Sequence, residues 1–139
     1  MKTKSIAIDL RSVPEDSTVL SSLLDEFLDE SQVPARAKYD VMISCDEVFS
    51  NIYMHAYEKK PDGRIQFNAE VDKDCVTVTF TDYGRKSLPA ELSVSLPADK
   101  SNEGGYGLFI IHELMDEIHS GRAGSANKIT MKKIIRGNG

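Results

Sequence analysis

The connections between predicted strands constrain the fold of this chain more than any other feature of its sequence. Residues 64–71 and 75–82 are rich in β-branched side chains at period two, and a three-residue connection separates them. A second pair of strands is predicted at residues 117–121 and 128–135, with residues 121–127 as the turn. Because strands joined by short turns pair antiparallel, we expect a largely antiparallel sheet.

Helical periodicity dominates the first part of the chain after an initial strand. The strand is predicted at residues 3–10, and a helix follows from Pro14 until residues 31–33 interrupt its apolar pattern. A long central helix then begins at Pro34, which suits a first helical turn because its missing N–H group is not needed there. This helix is predicted to end near Tyr57.

The remaining segments complete the predicted architecture. Residues 83–106 contain several glycines and prolines, and a loop of this length inside a compact domain is usually functional, so we interpret it as a lid. A third helix is predicted at residues 108–118. The order β-α-α-β-β-lid-α-β-β predicts an α+β two-layer sandwich, with a mixed, mostly antiparallel sheet and the helices on one face.

The composition narrows the class of protein. With 139 residues, 40% of them apolar, the chain fits one compact domain spanning residues 1–139. A net charge of −5 argues against a direct nucleic-acid partner. Cys45 and Cys75 make neither a disulfide framework nor a metal site, so we expect both to be reduced and partly buried. Since no stretch approaches a membrane-spanning length, we expect a cytoplasmic protein that contacts no membrane.

The central helix carries two parallel rows of side chains. Apolar residues recur at the helical period and predict the core face: Val41, Cys45, Val48, Phe49, Ile52 and Ala56. Ser44, Glu47, Asn51 and His55 follow beside that face at spacings of three or four. A carboxylate, a carboxamide and an imidazole along one line, where water is scarce, indicate a binding site.

Three segments could supply the chemistry of a nucleotide site. Glycines before a helix let backbone N–H groups approach phosphates, and a carboxylate after a strand can accept a hydrogen bond from an exocyclic amine. A carboxamide oxygen is a hard ligand for Mg²⁺, and a carboxylate one turn away can orient or deprotonate a hydroxyl. Taken singly, each segment also has an ordinary structural interpretation as surface, turn or flexible helix entry. The segments are Glu47…Asn51, Asp82-Tyr83-Gly84 and Gly104-Gly105-Tyr106-Gly107-Leu108.

Together these segments resemble a known family. CDEVFSNIYMHAY resembles the N-box of the Bergerat-fold ATPases, the superfamily of gyrase, MutL and sensor histidine kinases. TDYGRKSLP and EGGYGLFIIHELMDEI resemble the first and second glycine boxes. Within the superfamily the chain is most similar to the small anti-sigma-factor serine kinases, in which a Glu, an Asn and a His stand where Glu47, Asn51 and His55 stand here.

The resemblance implies residue roles. Glu47 matches the general base, Asn51 the Mg²⁺ ligand and Asp82 the residue that binds adenine. The other positions implied to contact ATP are His55, Gly84, Arg85, Gly104, Gly105, Tyr106, Gly107, Leu108 and Asn127. The first glycine box often reads Asp-x-Gly-x-Gly, whereas Lys86 replaces the second glycine here, which bears on the geometry of the lid more than on the adenine pocket.

The same resemblance implies an ATP- and Mg²⁺-dependent protein serine/threonine kinase in a partner-switching circuit. Its partners would be an anti-anti-sigma-like antagonist protein, which it phosphorylates, and a sigma factor. It would form a homodimer, and its first strand and first helix would be dimer or partner surfaces. An alternative is a nucleotide-responsive binding module without phosphotransfer, which would have no need of Glu47. The ATPase domain of a sensor histidine kinase is a third possibility, disfavoured because no helix with a phospho-acceptor histidine precedes the domain.

Overall fold

The computed structural model describes residues 3–85 and 103–136, with the side chains of residues 103–108 outside the description. The strands are β1 (Lys4–Arg11), β2 (Arg64–Val71), β3 (Cys75–Asp82), β4 (Glu117–Ala123) and β5 (Ala126–Ile134). The helices are α1 (Pro14–Glu30), α2 (Ala35–Asn51) and α3 (Glu103–Leu114), and a π-helical turn, Ile52–Ala56, continues α2. The predicted α+β order of elements is therefore confirmed.

The five strands form one sheet in the order β1-β2-β3-β5-β4. Every pairing among these described strands is antiparallel, so the sheet predicted as mixed and mostly antiparallel has no parallel pair in this part of the chain. The register places Phe67 opposite Phe80, whose rings meet edge to face with centroids 4.9 Å apart. Asp82 ends β3 directly opposite Asn127 at the start of β5.

The core lies between one face of the sheet and the helices. On β2, alternate residues are buried: Ile65, Phe67, Ala69 and Val71. The predicted apolar arc of the central helix is buried throughout: Val41, Cys45, Val48, Phe49, Ile52 and Ala56. Alternate side chains of the strands therefore pack against the apolar stripe of the helix, whose residues recur every 3.6 positions. A two-layer α/β fold buries its apolar side chains in this way.

The end of α1 shows why the sequence stops this helix. Gln32 takes a left-handed φ of 60°, its N–H donates to the carbonyl of Asp29, and the N–H of Val33 donates to the carbonyl of Leu28. Val33 and Leu28 are both buried, so the turn has the paired hydrogen bonds and the apolar contact of a Schellman motif. The predicted break at residues 31–33 is confirmed.

The last third of the chain differs from its predicted boundaries. α3 ends at Leu114, and Ile118 lies in β4 instead of the predicted helix 108–118. The reason is the pairing with β5, because the N–H of Asp116 donates to the carbonyl of Lys132 and the carboxylate of Asp116 accepts from the N–H of Ile134. The predicted turn 121–127 shortens to a tight turn after Ala123, where Gly124 has a φ of 61°.

The predicted lid, residues 83–106, lies mostly outside the described residues, and so does Lys86. Its last part does not form a loop: α3 begins at Glu103, so residues 104–107 have helical backbone. Glycine lowers helix stability by about 1 kcal/mol per residue without excluding the conformation, which is why the predicted start at 108 was wrong. In the described ranges, no helix is long and apolar enough to cross a membrane.

Candidate functional site

The candidate site is built where the central helix reaches the carboxyl end of β3. α2 changes to π-helix at Ile52, and the N–H of Tyr57 donates to the carbonyl of Ile52, five residues earlier. Such π-turns inside helices frequently mark functional sites. Gly84, two residues beyond the end of β3, packs directly on this segment, because a Cβ on Gly84 would lie 2.4 Å from the carbonyl oxygen of Ala56.

Tyr57 fixes the same junction from the other side. Its hydroxyl donates to the carbonyl of Arg64 at the start of β2 and accepts from the N–H of Tyr83, 2.7 Å away. The Tyr83 hydroxyl in turn donates to Oε1 of Gln66 at 2.7 Å. This role of Tyr57 could not be predicted, since a tyrosine at the end of a helix carries no information about the strands that it contacts.

Asp82 is a buried carboxylate with one oxygen fully engaged. Its side chain is 3% exposed, and Oδ1 accepts from the N–H of Gly84 at 2.9 Å and from Nδ2 of Asn127 at 2.8 Å. Oδ2 accepts no hydrogen bond from the described residues. Burial raises the pKa of Asp82, while the hydrogen bonds from Asn127 and Gly84 and the charge of Arg122 oppose that shift. The carboxylate is thus oriented with one oxygen left to accept a hydrogen bond.

Asn51 ends α2 with a carboxamide that its surroundings do not satisfy. The residue is 7% exposed, and its Nδ2 atom is buried with no hydrogen-bond partner in the part of the chain that the structure describes. A buried polar group without a partner costs free energy, so such a group in a native structure calls for an explanation. The nitrogen and oxygen of a carboxamide are assigned from their hydrogen bonds, and no group among residues 3–85 and 109–136 fixes which of the two atoms of Asn51 faces the site.

Glu47 lies one helical turn before Asn51 and is half-buried. Burial raises the pKa of its carboxyl above the usual range, and the neighbouring charge of Asp46 raises it further. A carboxylate with a raised pKa is a stronger base than a solvated one, which suits a group that accepts a proton from a hydroxyl. Glu47 and Asn51, the pair predicted from the spacing, therefore share one face of α2, and the raised pKa of Glu47 suits it to accept a proton.

The residues present fit a magnesium ion. No cluster of three or more His, Cys, Asp or Glu side chains that could hold a metal occurs in residues 3–85 and 103–136. Mg²⁺ needs no such cluster, because it usually keeps several waters and takes one or two protein ligands beside substrate phosphates. The buried carboxamide of Asn51, whose Nδ2 atom has no partner among the described residues, and the half-buried carboxylate of Glu47 one turn away match that sparse donor set.

His55 and Arg85, two other residues predicted to contact ATP, are exposed. His55 lies within the π-helical turn and is exposed, so the expectation that it shares the sheltered row of Ser44, Glu47 and Asn51 is wrong. The π-turn explains the difference, because its residues rotate about the axis by a smaller angle than those of an α-helix. Arg85 follows Gly84 and is also exposed.

In the second glycine box, residues 103–118, only the backbone is described for residues 103–108. Residues 103–114 form α3, which packs against α2, and Ile111 of α3 is fully buried. The predicted phosphate-binding residues therefore lie in the first turns of a helix next to the N-box helix. They are Gly104, Gly105, Tyr106, Gly107 and Leu108.

Sequence reasoning missed Arg122, which contacts the site from the edge strand. Its Nη1 donates to Oδ1 of Asn127 at 2.7 Å and to the carbonyl of Gly84 at 3.3 Å. The expected turn at 121–127 placed this arginine outside any strand. On β4, Arg122 shares the face of Ile118 and Ser120, because side chains two residues apart on a strand point to the same side of the sheet.

A sequence profile of the histidine kinase-like ATPase domain matches residues 10–133. The chain belongs to this family. The chain is 34% identical over 113 residues to the serine-protein kinase RsbW of Staphylococcus aureus, covering 72% of this chain and 70% of that protein. RsbW of Oceanobacillus iheyensis is 28% identical over 86 residues, which covers 57% of this chain and 54% of that protein.

Solved structures with the same fold match this chain. The structure of the RsbU and RsbW domains of a Mycobacterium tuberculosis protein matches with a TM-score of 0.69 at 16% identity, covering 94% of this chain and 32% of that one. The histidine kinase domain of a blue-light-activated histidine kinase from Erythrobacter litoralis matches with a TM-score of 0.56 at 18% identity, covering 87% and 60%. The predicted histidine kinase-like α+β fold is therefore confirmed.

Proposed function

We propose that this ATPase-family chain is an ATP-dependent protein serine/threonine kinase of the anti-sigma-factor type. The observation that carries the proposal is the pair on α2. Asn51 is a buried carboxamide whose Nδ2 atom has no hydrogen-bond partner among the described residues, and Glu47, one turn away, is a half-buried carboxylate with a raised pKa. A nucleotide-binding module would need the first group but not the second. The 34% identity to the serine-protein kinase RsbW of Staphylococcus aureus supports the same activity.

The base of the nucleotide would be held by Asp82. Its Oδ2 atom accepts nothing from the described residues, so it can accept a hydrogen bond from the exocyclic amine of adenine. Gly84 lies two residues after Asp82, just beyond the end of β3, and only its backbone adjoins the carboxylate because it has no side chain. Phosphates would lie toward the start of α3, where backbone N–H groups of a helix terminus favour anions.

The acceptor hydroxyl would be activated by Glu47. A serine or threonine hydroxyl within hydrogen-bond reach of this carboxylate is oriented for attack on the terminal phosphate. It loses its proton to Glu47 as the new bond to phosphorus forms, while the bond from that phosphorus to the bridging oxygen breaks and ADP leaves. Asn51 would hold Mg²⁺, which when bound supplies charge stabilisation at the phosphate oxygens. Because burial raises the pKa of Glu47, the proton is accepted more readily than by a solvated glutamate.

The proposed partners are an anti-anti-sigma-like antagonist protein as substrate and a sigma factor as the alternative partner, in the cytoplasm. A homodimer is also proposed, with β1 and α1 as the contacting elements. What supports a partner surface on α1 is the exposure of Val19 and Leu23, which are 44% and 40% exposed and one turn apart on the helix. Apolar side chains grouped on an otherwise acidic helix surface are typical of protein contacts.

The test combines binding with turnover. ATP would be titrated calorimetrically with and without Mg²⁺ into the wild-type chain and into Asp82→Asn and Asn51→Ala. We expect magnesium-dependent binding that both substitutions abolish. Wild-type protein that is folded yet binds no ATP would overturn the nucleotide assignment.

Glu47→Gln separates the kinase from a nucleotide-responsive binding module. We expect ATP affinity to stay within about threefold of wild type, while phosphorylation of an antagonist protein falls by about 10²- to 10⁴-fold. Glu70→Gln, on the exposed face of β2, is the matched control and should leave both unchanged. If Glu47→Gln abolishes ATP binding, the residue is structural; if the wild type binds ATP and transfers no phosphate to serine, the binding module is correct.

A further inference from the structure

Three residues on three neighbouring strands form a continuous polar row behind the proposed adenine site. The sheet register pairs Asp82 of β3 with Asn127 of β5, and pairs Asn127 with Arg122 of β4. Side chains directly opposite one another in an antiparallel pair lie on the same face of the sheet. The row therefore runs from the buried carboxylate outward to an arginine at the edge of the sheet.

Asn127 is the central member, and each of its polar atoms has a definite partner. Nδ2 donates to Oδ1 of Asp82 at 2.8 Å and to the carbonyl of Gly84 at 3.1 Å, while Oδ1 accepts from Nη1 of Arg122 at 2.7 Å. The residue is 4% exposed, so water cannot readily replace these partners. Asn127 is satisfied in one orientation only, since rotation of the amide would turn its oxygen toward two acceptors and its nitrogen toward a donor.

Arg122 decides which orientation that is. The two acceptors on one side attract the amide nitrogen, and the guanidinium on the other side holds the amide oxygen with a charge-assisted hydrogen bond. The same Nη1 atom also donates to the carbonyl of Gly84 at 3.3 Å, so Arg122 contacts both residues that flank the Asp82 carboxylate. Its positive charge also favours the ionised form of Asp82.

We propose that Arg122 is a positioning residue that acts through Asn127 to hold Asp82 as an oriented hydrogen-bond acceptor, and so sets the selectivity for a purine that carries an exocyclic amine. This inference rests on the proposed assignment of Asp82 to the base of the nucleotide. Arg122 itself does not contact the base. An ionised carboxylate only accepts hydrogen bonds, so it favours a 6-amino purine over one without a donor at that position.

The experiment compares two nucleotides on four proteins. Dissociation constants would be measured calorimetrically for ATP and for the triphosphate of purine riboside, which lacks the 6-amino group, with the wild type, Arg122→Met, Arg122→Lys and Lys128→Met. Lys128 follows Asn127 on β5 and points to the opposite, exposed face, which makes it a matched control for loss of a cation.

We expect the wild type to prefer ATP by on the order of 10- to 100-fold, the usual worth of a hydrogen bond to a charged group. In Arg122→Met this preference should fall by about a factor of ten, because binding of ATP weakens while binding of the analogue barely changes. Arg122→Lys should keep most of the preference, since it keeps a charged donor, and Lys128→Met should keep all of it.

Three results would overturn the inference. One is an equal weakening of both nucleotides in Arg122→Met, which a merely structural role would produce, and another is no change at all. The third is a wild type that binds the two nucleotides equally, which leaves ATP binding standing but removes Asp82 as the selective group. If Arg122→Met does not fold, the ratio of the two dissociation constants is measured for Arg122→Gln instead. Wild-type protein that binds neither nucleotide would reject the proposed function itself.

Discussion

A Cβ atom on Gly84 would lie 2.4 Å from the carbonyl oxygen of Ala56 and 2.8 Å from its Cβ. The backbone beyond β3 therefore touches the end of the π-helical turn, and this contact joins the strand that carries Asp82 to the helix that carries Asn51. The resemblance explains the glycine by the approach of a nucleotide. The structure adds a second reason, which is the close packing of two protein segments.

Substitution of Gly84 by Ala should therefore destabilise the nucleotide-free protein. The added methyl group meets backbone atoms, which cannot rotate away, so the free energy of unfolding should fall by about 1–3 kcal/mol, the usual cost of overpacking. Chemical denaturation followed by circular dichroism measures this change.

Gly121→Ala is the matched control, because a Cβ at Gly121 in β4 meets nothing within 4 Å. That substitution should be neutral or slightly stabilising, since alanine lowers the entropy of the unfolded chain. Equal stability of the two variants would show that the contact between Gly84 and Ala56 is less close than the structure describes.

Lys133→Met should be among the most destabilising single changes on β5. Nζ of Lys133 lies 2.9 Å from the carboxylate of Asp40, which is 4% exposed, and donates to the carbonyl of Leu114 at 2.7 Å. Loss of one partner leaves the other charge buried, at a cost of about 3–5 kcal/mol. Arg36, 3.4 Å from Asp40 but largely exposed, should reduce that loss.

A thermodynamic cycle tests this pairing. Asp40→Asn in the Lys133→Met background should recover much of the stability, because it removes the uncompensated charge. Lys73→Met, in the exposed connection between β2 and β3, is the control for removing a lysine and should change little. Additive losses in the double variant would contradict the ion pair.

Asp82→Asn should raise stability at neutral pH even though it abolishes the proposed ATP binding. Burial raises the pKa of Asp82 in the folded state, so its carboxyl favours folding below its unfolded pKa, and that contribution is lost as pH rises through the folded pKa. The stability of wild type relative to Asp82→Asn should therefore decrease as pH rises above about 4.

Denaturation of both proteins at a series of pH values measures this difference. Glu70→Gln, at an exposed position of β2, controls for the removal of one negative charge from a chain with a net charge of −5. A wild-type protein that gains stability relative to Asp82→Asn as pH rises would mean that hydrogen bonds from Asn127 and Gly84 outweigh burial.

The two cysteines should react with thiol reagents at very different rates. Cys45 is 1% exposed and burial raises the pKa of its thiol, whereas Cys75 is half-buried at the start of β3. The sequence predicted both as partly buried. In native protein we expect an aromatic disulfide reagent to titrate one thiol quickly, and the second only after denaturant is added; Cys75→Ser should remove the fast phase.

Much of the fold was predictable because its signals are local. The strands 64–71 and 75–82 were predicted with the boundaries that the structure has, since alternation and short connections depend only on neighbouring residues. The apolar arc of α2 was confirmed for the same reason. The pairing of Glu47 with Asn51 also follows from helical spacing alone.

Other features could not be predicted from local patterns. The π-turn at Ile52–Ala56 exposes His55, although its spacing matches that of the buried Asn51. Arg122 looked like a turn residue until the pairing of β4 with β5 extended the strand to Ala123. Each of these outcomes depends on where one element meets another.

The sequence by itself determined which residues form the strands, the core stripe and the three boxes, because these depend on the periodicity and chemistry of neighbouring side chains. Only the tertiary structure decided that Asp82, Asn127 and Arg122 share one row and that Gly84 touches Ala56. These contacts join residues far apart in the chain. Their energy exists only once the sheet register and the packing of α2 on the sheet have brought them within hydrogen-bond or van der Waals distance.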